Sequence, residues 1–146
     1  MLEDMLKNRE LREILSAHCA DLMEFMLEND INFSLVCDVN RVSFDPELPS
    51  DIKNAFKQFS VFVLAGYTFE SAELDDDYIY FEAGFGAENI GSHVSIPLGA
   101  ILNIVVDDSV VFINPAATIK VQGDDEGVEH SLSALLSNPE NKKFLK

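Results

Sequence analysis

The residues whose types and spacing could do chemistry are few, and each has a plainer reading beside it. Asp75, Asp76 and Asp77 are consecutive carboxylates. A calcium loop spaces its acidic ligands at alternate positions and turns on a central glycine, so three adjacent Asp read as an acidic turn. The stretch Gly84-Phe85-Gly86-Ala87-Glu88-Asn89-Ile90-Gly91 is glycine-rich, but it lacks the G-x-G-x-x-G spacing, a lysine and a following helix. It therefore reads as a strand-to-strand connection and not as a phosphate cradle. His18 beside Cys19, His93 near Ser95, and His130 are too scattered to supply three ligands to a metal, and no serine sits in a G-x-S-x-G context. Cys19 and Cys37 lack C-x-x-C spacing and read as buried free thiols. The expectation is a protein with no enzymatic activity, no cofactor and no metal.

Such residues need elements to hold them, and composition bounds what those can be. A chain of 146 residues with 47% hydrophobic content is long enough for one core and too short for two ordinary domains. The formal net charge of −16 argues against nucleic acid or an anionic membrane as partner, because phosphate binding needs clustered Lys and Arg. Not one Lys or Arg occurs between Gln58 and Ile119, so a ligand meeting that stretch is expected to find a neutral or acidic surface. No stretch approaches the roughly 18 to 20 apolar residues of a membrane helix. The first residues, with Glu3, Asp4, Lys7, Arg9 and Glu10, lack a signal peptide's apolar segment. A cytoplasmic location is expected.

From Leu2 to Glu28, apolar residues recur at helical spacing with charges between them, which predicts one long amphipathic helix or two, stopped at Asn29-Asp30. Asn32 to Val39 reads as a largely buried strand, Arg41 to Phe44 as a second extended piece, and Asp45 to Pro49 as loop. Ser50 is placed to cap a short helix from Asp51 to Phe59. Then Ser60–Ala65, Tyr67–Leu74, Asp77–Phe85, His93–Ile96, Ile101–Val106 and Val110–Ile113 are rich in β-branched and aromatic residues and punctuated by Gly, Asp and Pro, as in an antiparallel meander. The predicted class is α+β: an N-terminal helix packed on a small, strongly curved antiparallel barrel or sandwich of about five to seven strands. The folded domain is expected over residues 1–121. Residues 122–146 read as a flexible acidic linker that changes character at its last five residues, Lys142-Lys143-Phe144-Leu145-Lys146, which are basic and apolar.

Several segments together carry a family resemblance. Leu22-Met-Glu-Phe-Met-Leu-Glu-Asn-Asp30, the strand ending Cys37-Asp38-Val39, Phe81-Glu-Ala-Gly-Phe85-Gly86 and Val94-Ser-Ile-Pro97-Leu98-Gly-Ala-Ile-Leu102 resemble the stringent starvation protein B (SspB) family in order and in spacing. The pairing of F-x-A-x-F-G with V-S-I-P-L-x-A-I-L is its most specific element. The resemblance covers about Leu22 to Pro115 and extends to the basic-apolar segment Lys142–Lys146. It implies an open barrel resembling the Sm fold, a homodimer formed through the helix, and an adaptor that binds ssrA-type degradation tags. The implied partners are ssrA-tagged polypeptides and the zinc-binding domain of the ClpX unfoldase.

Carried over by position, the tag groove would involve Phe81, Ala83, Phe85, Gly86, Val94, Ser95, Ile96 and Phe112. The dimer helix would use Leu11, Ile14, Ala17, His18 and Asp21, and the ClpX contact would use Lys142, Lys143, Phe144, Leu145 and Lys146. From composition alone, Phe81, Phe85 and Phe112 are more readily core residues than groove walls. The alternative function is a small, acidic, dimeric secretion-type chaperone binding an extended partner segment. A third reading, an Sm-like barrel acting on RNA, is opposed by the charge.

Overall fold

Residues 1–119 are described by the structure, a computed structural model. The expectations placed on residues 122–146, including Lys142 to Lys146, lie outside the described residues.

The N-terminal amphipathic stretch forms two helices, α1 (Leu2–Lys7) and α2 (Arg9–Glu28). Asn8 separates them: its backbone is extended and its side chain accepts a hydrogen bond from the Leu11 amide at 3.1 Å, which caps α2. The buried stripe of α2 is Cys19, Met23 and Met26, spaced so that one face of the helix meets the core. Asp30 follows with φ of 56°, a left-handed turn that Asp tolerates better than most residues.

The remaining elements are β1 (Phe33–Asp38), β2 (Ser43–Asp45), α3 (Ser50–Ala55), β3 (Phe59–Leu64), α4 (Gly66–Glu70), β4 (Glu73–Leu74), β5 (Tyr78–Phe85), β6 (Ile90–Pro97), β7 (Ile101–Val106) and β8 (Ser109–Ile113). Two antiparallel sheets result, in the orders β3-β1-β7-β8 and β2-β6-β5-β4. The α+β class holds, but the expected barrel is corrected: the two four-stranded sheets do not close on one another. Among the described residues the strands number eight, more than the five to seven expected.

Tyr67–Leu74, expected as a strand, is helix α4 followed by the two-residue β4. Its β-favouring aromatics are outweighed by packing, since Gly66 turns the chain at φ +59° and Phe69 then meets Phe33 of β1 edge-on at 6.2 Å. Ser50 starts α3 without acting as its side-chain cap; Pro49 occupies the cap position.

Alternate residues of β1 (Phe33, Leu35, Cys37) are buried, joined by Phe62 and Leu64 of β3, Ile104 of β7, and Ile79, Phe81, Val94 and Ile96 from the second sheet. The sheets meet through a phenylalanine cluster. Phe62 lies 6.1 Å from Phe81 and 6.4 Å from Phe44 and Phe85, and Phe56 stacks on Phe44 at 5.8 Å. Burial pushes the Cys19 thiol up to about 12 and Cys37 well above its ordinary range, so both are inert packing groups. Truncating the centre of the ring cluster, Phe62→Ala, is expected to cost about 3–5 kcal/mol in chemical denaturation, the range for a large buried aromatic. A loss below about 1 kcal/mol would show that the ring does not hold the sheets together.

Candidate functional site

Along one side β5 pairs with β6 throughout, from Tyr78↔Pro97 to Phe85↔Ile90. On the other side β4 covers only Ile79 and Tyr80. Beyond them the Glu82 amide donates to Ser71 Oγ at 2.9 Å, so this amide points away from β6. Strand alternation turns the Gly84 amide the same way, and among the described residues no strand lies beside it. Helix α4 packs on both β3 and β5 and covers the upper part of this edge. The open part, Ala83 to Gly86, is the candidate site.

Its surroundings suit an extended polypeptide. Ala83 and Phe85 are half-buried and pack against the core, whereas Gly84 and Gly86 are exposed. Neither glycine has room for a side chain. At Gly84 the Asn89 carboxamide already stands where a Cβ would be, and at Gly86, with φ of +77°, a Cβ would lie 2.7 Å from Ile52 Cδ1 of α3. The space beside each glycine is therefore filled by the chain's own Asn89 and Ile52 side chains. Phe56 touches Phe85 at 6.1 Å and also lines a cleft of about 540 Å³ together with Val39, Val42, Lys53 and Lys57. Lys53 Nζ is 3.0 Å from Glu47 Oε2.

These two lysines precede the stretch from Gln58 to Ile119 over which a neutral or acidic surface is expected. Both line the cleft beside Phe56, whose ring meets Phe85 of β5, and no residue of β5 itself lines that cleft. Lys53 lies on α3, whereas Phe56 ends that helix in extended geometry and Lys57 follows in the connection to β3.

Of the residues carried over by resemblance, Ala83, Phe85 and Gly86 come together at the open edge. Phe81, Val94 and Ile96 face the core and are at most 1% exposed, so they support the site from beneath and present no surface. Ser95 lies on the opposite face of the sheet. Phe112 sits on β8, at the edge of its sheet opposite β3, and its ring meets that of His18 of α2 at 5.4 Å with a tilt of 39°; the structure does not bring it to β5. On α2, Ile14, Ala17, His18 and Asp21 form an exposed stripe, continued by Phe25, while Leu11 is half-buried.

The outward face of the second sheet carries a different arrangement. Tyr78 and Tyr80 stack at 5.7 Å, and Tyr80 stacks on His93 at 5.9 Å, all nearly parallel. His93 Nδ1 is 2.7 Å from Glu82 Oε2, and the Tyr80 hydroxyl donates to Asp75 Oδ2 at 2.7 Å. That bond lowers the Asp75 pKa and pushes Tyr80 up to about 12. Neither group has the convergent partners of a catalytic centre, and among the described residues no group of three or more His, Cys, Asp or Glu is arranged to hold a metal. No described helix is long and apolar enough to cross a membrane.

No protein-family model matches this chain, and no curated protein matches it.

The Tyr80–Asp75 bond has a signed consequence. Tyr80 contributes stability that is present below the ordinary phenol value of about 10 and is lost as pH rises through about 12. Asp75 contributes stability present above the ordinary carboxyl value of 3.8 and lost as pH falls through its lowered value. Ultraviolet titration of phenolate is therefore expected to show a step near pH 12 that disappears in Tyr80→Phe. Retention of that step in the variant would contradict the assignment.

Proposed function

We propose that this chain is an adaptor that binds ssrA-type degradation tags along the open edge of β5 and delivers the tagged protein to the ClpXP protease. The observation that supports the reading is the Gly84 amide, turned away from β6 with no neighbouring strand and flanked by half-buried apolar Ala83 and Phe85. An unstructured tag added there gains main-chain hydrogen bonds, with alternate side chains set against apolar ground. Nothing in this task needs a nucleophile or a base.

Charge enters through Lys53 and Lys57. Long-range attraction between a chain of net charge −16 and an acidic tag has the wrong sign, but lysines beside Phe56 offer a local partner to a tag carboxylate. Delivery follows the resemblance to the SspB family: Lys142 to Lys146 engage ClpX, the exposed stripe of α2 pairs two copies, and the protein works in the cytoplasm. Tethering raises the local concentration of substrate at the unfoldase without new contacts, and catalysis belongs wholly to the protease.

Fluorescence anisotropy of a labelled ssrA-tag peptide, titrated with the full chain, tests the reading. Saturable binding at micromolar concentration or tighter is expected. Ala83→Glu is expected to abolish it while the far-ultraviolet dichroism stays native, and deletion of Phe144–Lys146 is expected to leave tag binding intact while ending ClpX docking. Tag binding that survives Ala83→Glu, or no binding by the native chain, would overturn the proposal and favour the secretion-type chaperone.

A further inference from the structure

The two sheets differ on the faces they turn away from the core. In the second sheet, alternation along β5 and β6 sets Tyr80, Glu82, His93 and Ser95 outward. The strands of the first sheet do not alternate in this way. β3 runs Phe59-Ser-Val-Phe-Val-Leu64, β7 runs Ile101-Leu-Asn-Ile-Val-Val106 and β8 runs Ser109-Val-Val-Phe-Ile113. Near-continuous apolar runs belong to strands covered on both faces, whereas a sheet wetted on one side alternates apolar with polar.

The register builds this outward face in two rows. Val63, Ser34, Val105 and Val110 lie side by side across β3, β1, β7 and β8, and Val61, Val36, Asn103 and Ile113 form the next row. The four apolar side chains at its flanks, Val61, Val63, Val110 and Ile113, are 50% to 62% exposed. The only charged residue on the four strands is Asp38, and it is buried.

We propose that this face pairs with the same face of a second copy of the chain. Charge selects that occupant. A chain of net charge −16 repels its own copies, and here two of them meet without setting carboxylate against carboxylate. The face also carries no charge with which to select a foreign partner, and its two polar side chains suit two-fold symmetry. Ser34 and Asn103 sit diagonally about the centre of the two rows. A two-fold axis lying between the faces and passing through that centre lays Ser34 of each copy against Asn103 of the other. Hydroxyl and carboxamide are complementary hydrogen-bonding groups, and symmetry makes the pair twice.

Area sets the strength. Four strands about 4.8 Å apart and five residues at about 3.3 Å make a face of roughly 19 by 17 Å. That is about 320 Å², against about 800 Å² per partner in an interface of standard size, so the pairing is weak and reversible. It is separate from the pairing through α2 proposed above, because α2 lies on the inner side of this sheet, where His18 meets Phe112. It does not depend on tag binding.

The test is analytical ultracentrifugation of the full chain carrying Ile14→Glu, which sets a carboxylate in the exposed stripe of α2 and leaves the sheet face intact. Average mass is expected to rise from one copy toward two between micromolar and millimolar concentration. Adding Val61→Lys and Ile113→Lys is expected to weaken this association by about tenfold or more, since like charges are then set face to face. Val61→Thr with Val63→Thr keeps β-branched side chains in the strand and is expected to weaken it in the same direction, with native far-ultraviolet dichroism. A mass of one copy at every concentration, or association that both folded variants leave unchanged, would overturn the proposal and leave the face to a partner of another kind. Air oxidation of a mixture of Ser34→Cys and Asn103→Cys copies is expected to link the two kinds to each other, while buried Cys19 and Cys37 stay free. A mixture that links no more than either copy alone would also overturn it. Tag anisotropy is a separate readout, so failure here and failure of the adaptor reading are told apart.

Discussion

A backbone amide at the edge of a sheet must find an acceptor, and in most of this molecule it finds one in the next strand. β5 departs from that pattern because β4 is only two residues long. Where β4 stops, Ser71 supplies one acceptor to Glu82, and beyond it the edge at Gly84 lies open. The candidate site, its glycines and the proposed function all depend on this interruption. A longer β4 would complete the sheet and leave no strand position to fill.

An open edge survives only if something else joins the sheets, and here side chains do so. Phe62 of β3 meets Phe81 and Phe85 of β5, and Phe44 of β2 and Phe56 complete the cluster, so the contact between sheets is apolar and needs no shared ladder. The same rings set the site's depth. Phe81 is fully buried beneath it, Phe85 is half-exposed at its rim, and Phe56 connects it to the cleft holding Lys53 and Lys57. Gly86 lets α3 cross the end of β5, since Ile52 occupies the space a side chain would need.

Much of this architecture was legible from local pattern. β7 spans Ile101–Val106 as its apolar, β-branched run predicts, and the helix ends at Asn29-Asp30 as their turn preference requires. The failures have physical causes. Tyr67–Leu74 has strand-like composition but is bent by Gly66 and anchored by Phe69 on Phe33, a contact between residues far apart in sequence. Barrel closure could not be read because it depends on which edges pair. At the site, F-x-A-x-F-G singles out Ala83, Phe85 and Gly86 along the open edge of β5, yet the alternation that exposes Gly84 also buries Phe81. Lys53 and Lys57 were missed because their link to β5 runs through the contact of Phe56 with Phe85, residues far apart in sequence.

The claim that an extended peptide completes the edge of β5 is tested most directly by hydrogen exchange at the Gly84 amide, followed residue by residue with and without saturating ssrA-tag peptide. The account predicts that this amide exchanges readily in the free protein and becomes protected when the peptide is bound, while Glu82, already bonded to Ser71, changes little. A peptide that binds to saturation and leaves Gly84 exchange unaltered would contradict it and place the tag on another surface.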